Sequence, residues 1–450
     1  MTLTIDIEYQ SIAEEELRKG IERNKAESGL VAMMDPATGE VLAMANYPQI
    51  NPADPAGNDP QTARNRIVTD MFEPGSVFKI VTASAALESR KVSPAQKFDA
   101  EQGSYTVRLP NGKKRNTITD THKHGIISFQ EAMEVSSNIV MAKISNIVGA
   151  DSLFMTARAY GFGTSTGIEL PGEVRGELKH PSQWSGTTLN SMAYGYEVGV
   201  TPLQILTAYA VVANRGTLMK PFIVRSVVAP DNTVIAERRP EKIRRVISQG
   251  TVDALVKMFR GVVERGTGVT AKLAGVSVAG KTGTSRRVID GHYATGDYTA
   301  SFVGFFPVEA PAVVCLVMIE NPRDKGYTGS LAAAPVFKAI AERIYATSGR
   351  FRAHQDEVRA ALRPPVIADA ASPPVPDDQF HPGELITVPD VRGQAIRRAV
   401  ARLSLAHLDV GIQGSGVVVA QSPSPHEHVR AGTHVVIRCE QRNLSLVTAD

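Results

Sequence analysis

The longest uninterrupted apolar run in this chain, Ala312–Ile319, is only eight residues long. A membrane-spanning helix needs about 20, so the run reads as a strand. Tyr298–Pro307 precedes it across a tight Pro307–Pro311 turn, which makes the two antiparallel neighbours, and Ser277–Ser285 supplies a third strand. Near the start, Gly29–Met34 and Glu40–Met44 flank Asp35-Pro-Ala-Thr-Gly39, which is turn chemistry and predicts a hairpin. Helical patterns fill the interval: Ser76–Ser89, Phe129–Val135, Asn138–Ile147, Pro202–Ala213, and Thr251–Val263 opened by a threonine cap. Ile7, Ile12, Leu17 and Ile21 mark an amphipathic helix over residues 8–26, and Leu331–Thr347 is a closing helix. A hairpin first, helices between, and strands plus a helix last predict an α+β fold, one antiparallel sheet flanked by helices.

Two loops punctuate this pattern, an Asn- and Pro-rich one over Pro48–Pro60 and a glycine-rich one over Gly161–Glu173. The latter lacks phosphate-loop spacing. Residues 100–125 carry strands or loops around an Asn111-Gly112 turn. From Arg350 the chain turns polar and Pro/Ala-rich, predicting a linker over 350–385 between a domain of residues 1–349 and a small α/β unit of residues 386–440. In that unit we expect a short strand at Val388–Val391, a helix about Ala395–Ala406, and strands at Asp409–Ile412, Val417–Ser422 and His434–Cys439. Residues 441–450 read as a frayed tail.

A net charge of +3 over 450 residues is too mild to imply a nucleic-acid partner. Cys315 and Cys439 are the only two cysteines, fall in strands of different domains and offer neither zinc-ligand spacing nor a disulfide framework. No cofactor or metal site is expected. The opening MTLTIDIEYQ runs directly into helical periodicity without a signal peptide. That predicts either a cytosolic protein or a fragment whose anchor lies upstream.

Three clusters carry chemistry. In MFEPGSVFK (Met71–Lys79), Gly75 closes a turn and Ser76 enters a helix. Lys79, three residues on, shares a face with Ser76. A lysine buried beside Phe78 and Ile80 can lose its proton near neutral pH and act as a base. Ser136-Ser137-Asn138 stands at a helix junction, where a hydroxyl can relay a proton and an amide can bind a peptide. It also reads as an N-cap. Lys281-Thr282-Gly283-Thr284 ends a strand, and a lysine with two hydroxyls on an exposed edge makes an anion site. Its competing reading is a solvated edge strand with a protective lysine.

Ser-x-x-Lys, Ser-x-Asn and Lys-Thr-Gly in this order are the signatures of penicillin-binding proteins and class A β-lactamases. The surroundings narrow the match. DPATGEVLAMA (Asp35–Ala45), EPGSVFK, SSN, TGIELPGE, VTPLQILTAYAVVANRG (Val200–Gly216), AGKTGTS, SFVGFFP and AAPVFKAI closely resemble the transpeptidase module of class B penicillin-binding proteins, in particular the division-specific branch. VPDVRGQAIRRAVARL through GTHVVI resembles one PASTA domain. The resemblance implies a serine D,D-transpeptidase that cross-links peptidoglycan stem peptides at the septum and is acylated by β-lactams. It implies Ser76 as nucleophile, Lys79 as base, Ser136 as proton relay, and Asn138 orienting the donor and holding Lys79. Lys281, Thr282, Gly283 and Thr284 would seat the D-Ala-D-Ala carboxylate. The backbone N–H groups of Ser76 and Thr284 would form the oxyanion hole. These assignments agree with what amide attack requires. Relatives of this kind have a short cytoplasmic tail, one membrane helix and an N-terminal pedestal, which are missing here. The implied location is the bacterial cell membrane with an extracytoplasmic catalytic domain, and the implied partners are a polytopic glycan polymerase and division proteins.

The departures also discriminate. A class A β-lactamase needs a deacylating glutamate. Glu169 lies in an ELPGE loop that matches the transpeptidases, with Glu173 where the lactamases carry Asn. Class D enzymes have an apolar residue where Asn138 stands. Glu197 occupies a position where relatives carry a small residue, and either alters the pocket rim or faces solvent. Two alternatives stay open, a D,D-carboxypeptidase using water as acceptor and a non-catalytic β-lactam sensor or wall-binding protein.

Overall fold

Helix α1 (Ile7–Asn24) leads into the hairpin β1 (Ser28–Met34) and β2 (Val41–Tyr47). The helical middle of the chain contains α2 (Lys79–Glu88), α3 (Asn138–Val148), α4 (Pro202–Ala213) and α5 (Gln249–Glu264). Strands β3 (Ala279–Ile289), β4 (His292–Phe306) and β5 (Val313–Glu320) follow, and helix α6 (Ala334–Thr347) closes the series. The computed structural model describes residues 1–51, 53–54, 63–108, 114–289, 292–351 and 385–440. The Asn111-Gly112 turn, most of the expected linker, the tip of the Pro48–Pro60 loop and the tail lie outside the described residues. The chain divides into two units, Met1–Leu362 and Arg363–Asp450.

In the first unit the sheet order is β3-β4-β5-β1-β2, antiparallel throughout. Asp35 makes the β1–β2 turn as expected: its carbonyl accepts from Gly39 N and its side chain from Ala37 N, both at 2.9 Å. Leu30, Ala32 and Met34 face one layer of core while Val31 and Met33 face the other. Burial on both faces is why these strands read as unbroken apolar runs rather than alternating ones. α1 and α6 cover one face, α1 through Tyr9, Ile12, Ala13, Leu17 and Ile21. On the other face lie α2 and α4, which are apolar nearly all round because both are enclosed.

The elements that depart from expectation are mostly polar or short. Val234–Glu237 and Lys242–Arg245 are strands exposed at every residue, so no apolar period announces them. Ala150–Tyr160 is a further helix, bent 105° from α3 across Gly149. The cap of α5 is Ser248, not Thr251, whose N–H is instead the donor to Ser248 Oγ. The closing helix is broken after Gly329–Ala332. The unit also continues past residue 349: Phe351 is buried against Phe306 and Tyr345, and Arg350 pairs with Asp35 at 2.6 Å. Among the described residues no single helix is long and apolar enough to cross a membrane.

In the second unit, Asp409–Gly414 pairs in parallel with His434–Glu440, which pairs antiparallel with Val417–Ser422. Helix Ile396–Leu405 buries Ala399 and Leu403 with Val418, Val435, Ile437 and Cys439. The first strand is Leu385–Thr387, earlier than expected, and it pairs with an unforeseen strand, His428–Arg430.

The glycine at 195 fixes where the Ser76 segment sits. Its φ is +91°, and a Cβ there would lie 2.0 Å from Gly75 O. We expect Gly195→Ala to cost at least about 2 kcal/mol in urea unfolding. A variant of unchanged stability would refute this close approach.

Candidate active site

Gly75 has φ +55°, and its N–H donates to Gly195 O at 3.0 Å. Ser76 follows in a 3-10 turn, Gly75–Phe78, and the N–H of Lys79 returns to Ser76 O. The sequence predicts an α-helix through this stretch. The tighter turn, with about three residues per turn, brings positions i and i+3 into closer register. Lys79 heads α2 with no solvent exposure, and its Nζ donates to Ser136 O at 2.7 Å and to Ser136 Oγ at 3.1 Å.

Ser136 has φ +62°, a left-handed backbone that costs a serine about 1–3 kcal/mol. The capping role falls to Ser137, whose Oγ accepts from Val140 N at 3.1 Å and donates to Asp120 Oδ2 at 2.5 Å. Asp120 Oδ1 accepts from the N–H groups of Asn138 and Ile139 at 2.6 and 3.1 Å. Ser136 and Asn138 therefore remain free to line the cavity. Asn138 Nδ2 donates to Thr119 O at 3.0 Å. The expected grip of Asn138 on Lys79 is not how the site is built, because both partners of the amine are on Ser136.

The Lys281–Thr284 segment lies on the edge strand β3, inside it rather than at its end because the strand runs on to Ile289, and the edge is not exposed. Lys281 is fully buried because the Gly75–Phe78 turn and α5 pack against the strand. Its Nζ donates to Thr282 O at 3.3 Å. Thr282 Oγ1 is hydrogen-bonded to Thr267 Oγ1 at 2.7 Å, and Thr284 Oγ1 accepts from Gly329 N at 3.0 Å. A cavity of about 440 Å³ brings the three clusters together, lined by Ser76, Ser136, Asn138, Thr282, Gly283 and Thr284 among others.

Burial disfavours an ammonium and lowers Lys79 to about 7, against a smaller opposing pull from the Asp120 carboxylate. Lys281 is held well below its ordinary value, first by burial and then by the charge of Lys79. Two enclosed amines in one site cannot both keep a proton cheaply. The arrangement combines a hydroxyl on a tight turn, an amine basic at neutral pH, a second hydroxyl on that amine, and a second enclosed amine beside two threonines of the same strand.

Sequence reasoning missed Asp120, Thr267 and Gly329, which hold the three clusters in place; only the tertiary fold shows them. Glu169 does not line the cavity. It accepts from Ile223 N at 3.1 Å and faces Arg238 at 3.0 Å. Glu197 is exposed and does not line this cavity; its N–H donates to Glu73 and its carboxylate accepts from the Thr187 and Thr188 hydroxyls at a helix start. Among the described residues, no group of three His, Cys, Asp or Glu side chains could hold a metal.

Residues 29–342 match the model of the penicillin binding protein transpeptidase domain. The chain belongs to the penicillin-binding-protein transpeptidase family. Residues 386–440 match the PASTA domain. The chain is 33% identical over 341 residues to a probable peptidoglycan D,D-transpeptidase PenA of Neisseria flavescens, covering 76% of this chain and 80% of that one. Stage V sporulation protein D of Bacillus subtilis is 30% identical over 441 residues, covering 97% of this chain and 64% of its own length. This penicillin-binding-protein chain thus spans somewhat under two thirds of the Bacillus relative. Penicillin-binding protein 3 of Mycobacterium tuberculosis, solved with aztreonam, superposes with a TM-score of 0.70 at 33% identity, covering 76% of this chain and 78% of that one.

A lysine lowered to about 7 penalises the folded state fully below pH 7, and the penalty lifts as pH climbs toward the unfolded value. Lys79→Met should therefore raise stability more at pH 6 than at pH 9, by on the order of 2–3 kcal/mol. Equal gains at the two pH values in parallel urea titrations would contradict a neutral Lys79.

Proposed function

We propose that the chain is the catalytic part of a serine D,D-transpeptidase that cross-links peptidoglycan stem peptides in septal wall synthesis and is acylated by β-lactams. Lys79 carries the reading: a buried amine lowered to about 7, one tight turn from Ser76 and bonded to Ser136. The neutral amine takes the Ser76 proton as Oγ attacks the carbonyl of the penultimate D-alanine. Backbone N–H groups of Ser76 and Thr284 stabilise the oxyanion, a role worth several kcal/mol in such sites. Ser136 passes a proton to the departing D-alanine amine, leaving an ester on Ser76. Asn138 orients the donor through its amide, and Thr282, Gly283 and Thr284 with Lys281 seat the terminal carboxylate. An amine of a neighbouring stem peptide then displaces the serine.

The relatives' names support this activity, and the Mycobacterium structure with aztreonam supports the β-lactam. On the same reading the catalytic unit works outside the bacterial cell membrane, with a polytopic glycan polymerase as partner. The working boundaries are 1–349 for the catalytic domain and 386–440 for the PASTA-like one.

Fluorescent penicillin is expected to label Ser76, as read by mass spectrometry of the adduct, and Ser76→Ala to abolish labelling. Label persisting in that variant would sink the nucleophile assignment. The acylation rate should climb with pH to a plateau above about 7, falling about tenfold per unit below it as Lys79 gains its proton. A profile flat from pH 5 to 9 would assign the base elsewhere. Because burial and the charge of Lys79 hold Lys281 well below its ordinary value, capture of a carboxylate-bearing ligand should take up a proton, seen as binding heats that vary with buffer ionisation enthalpy. Free D-alanine without cross-linked dimer would assign water, not an amine, as acceptor.

A further inference from the structure

The short helix Phe129–Glu134 ends two residues before Ser136, and its last residue is buried. Arg265 holds the Glu134 carboxylate in a two-pronged grip, Nη2 on Oε1 at 2.5 Å and Nε on Oε2 at 2.8 Å. Gln130 Nε2 donates to Oε1 as well, at 3.0 Å. Arg265 itself is half exposed and caps α5, its N–H donating to Gly261 O at 3.0 Å. The turn that follows comes back to the same glutamate: Thr267 N–H donates to Glu134 O at 3.1 Å. A Cβ at Gly266 would strike Glu134 O, and one at Gly261 would strike its carboxylate. One segment, residues 261–267, thus clasps Glu134 by backbone and side chain together.

The same segment reaches the opposite wall of the acylation cavity. Thr267 lines that cavity, and its Oγ1 meets Thr282 Oγ1 on β3 at 2.7 Å. A half-exposed arginine on a buried glutamate ordinarily reads as a brace for the fold. Here the two walls that it joins are unequally supported. Ser136 has separate anchors in Ser137, which caps α3, and in Asp120, which gathers the N–H groups of Asn138 and Ile139. The Thr282 hydroxyl has Thr267 as its only hydrogen-bond partner among the described residues. A hydroxyl carries a single hydrogen. With Thr267 as donor, Thr282 keeps its own hydrogen for an incoming carboxylate, and a displaced Thr267 lets that hydroxyl turn away.

We propose that Glu134 and Arg265 are positioning residues of the donor site: their grip holds Thr267 against Thr282 and aims the Thr282 hydroxyl at the donor's terminal carboxylate. The inference rests on the transpeptidase reading above, which seats that carboxylate on Thr282.

The test compares second-order acylation of the whole chain by a penicillin and by its methyl ester, which lacks the carboxylate. The wild type should prefer the acid. In Glu134→Gln and Arg265→Met the acid-to-ester ratio should fall at least about tenfold, the scale on which a group misplaced from a distance costs rate, while the ester's own rate holds. Arg265→Lys keeps the charge without the two-pronged grip and should fall between; it carries the comparison should Arg265→Met not fold. The double variant Glu134→Gln with Arg265→Met should lose no more than either single one, because both break one contact. Ratios unchanged in all the single variants would overturn the inference. So would an equal loss on acid and ester, which would make the pair a brace for the helix end, or losses that add in the double variant. Equal acylation of the wild type by acid and ester overturns this inference and leaves Ser76 as nucleophile. Failure of both probes to acylate the wild type overturns the transpeptidase reading itself.

Discussion

The contact on which the active unit depends is the amine of Lys79 against Ser136. A lysine with no path to solvent survives only if its hydrogens find acceptors, and both acceptors given to it belong to one residue with a left-handed backbone. That backbone is held in turn by Ser137 capping α3 and by Asp120 gathering two N–H groups of the same helix. The cost of enclosing the amine is returned as chemistry, because desolvation is what makes it a base near neutral pH. Local strain and burial at such a site trade stability for reactivity.

The sheet supplies the other half. β3 is an edge strand, and edges ordinarily invite pairing with another chain. Here the Gly75–Phe78 turn and α5 lie against it, so Lys281 is withdrawn from water and Thr284 meets the Ser76 turn. Residues 193–200 complete the arrangement. Gly195 touches Gly75, Val200 bridges Phe72, and Glu197 reaches Glu73. One short segment therefore sets the position of the Ser76 turn and of Glu197.

Much of the site was legible because its chemistry is local. Ser76 and Lys79 are three residues apart, Ser136 and Asn138 two, and those two clusters stand at helix starts that turn and cap residues announce, while Lys281–Thr284 is contiguous in sequence. The supports were not legible. Asp120, Thr267 and Gly329 act across long sequence separations through single hydrogen bonds, and nothing in their neighbourhoods distinguishes them from ordinary loop residues. The same reason hid the strands Val234–Glu237 and Lys242–Arg245, which are exposed throughout and carry no apolar period. Glu197 was visible as a departure, but its hydrogen bonds to Thr188 and Glu73 give that departure a physical meaning.

By itself the sequence determined the α+β class, the opening hairpin and the later strands, the three reactive clusters and the separate small C-terminal unit, because each follows from local periodicity, turn chemistry or motif spacing. Only the tertiary structure decided that Lys79 and Lys281 are enclosed, that Ser136 rather than Asn138 holds the amine, and that the β3 edge is covered. Burial depends on which distant segments pack over a residue. Here that packing decides whether a lysine is a surface charge or a base.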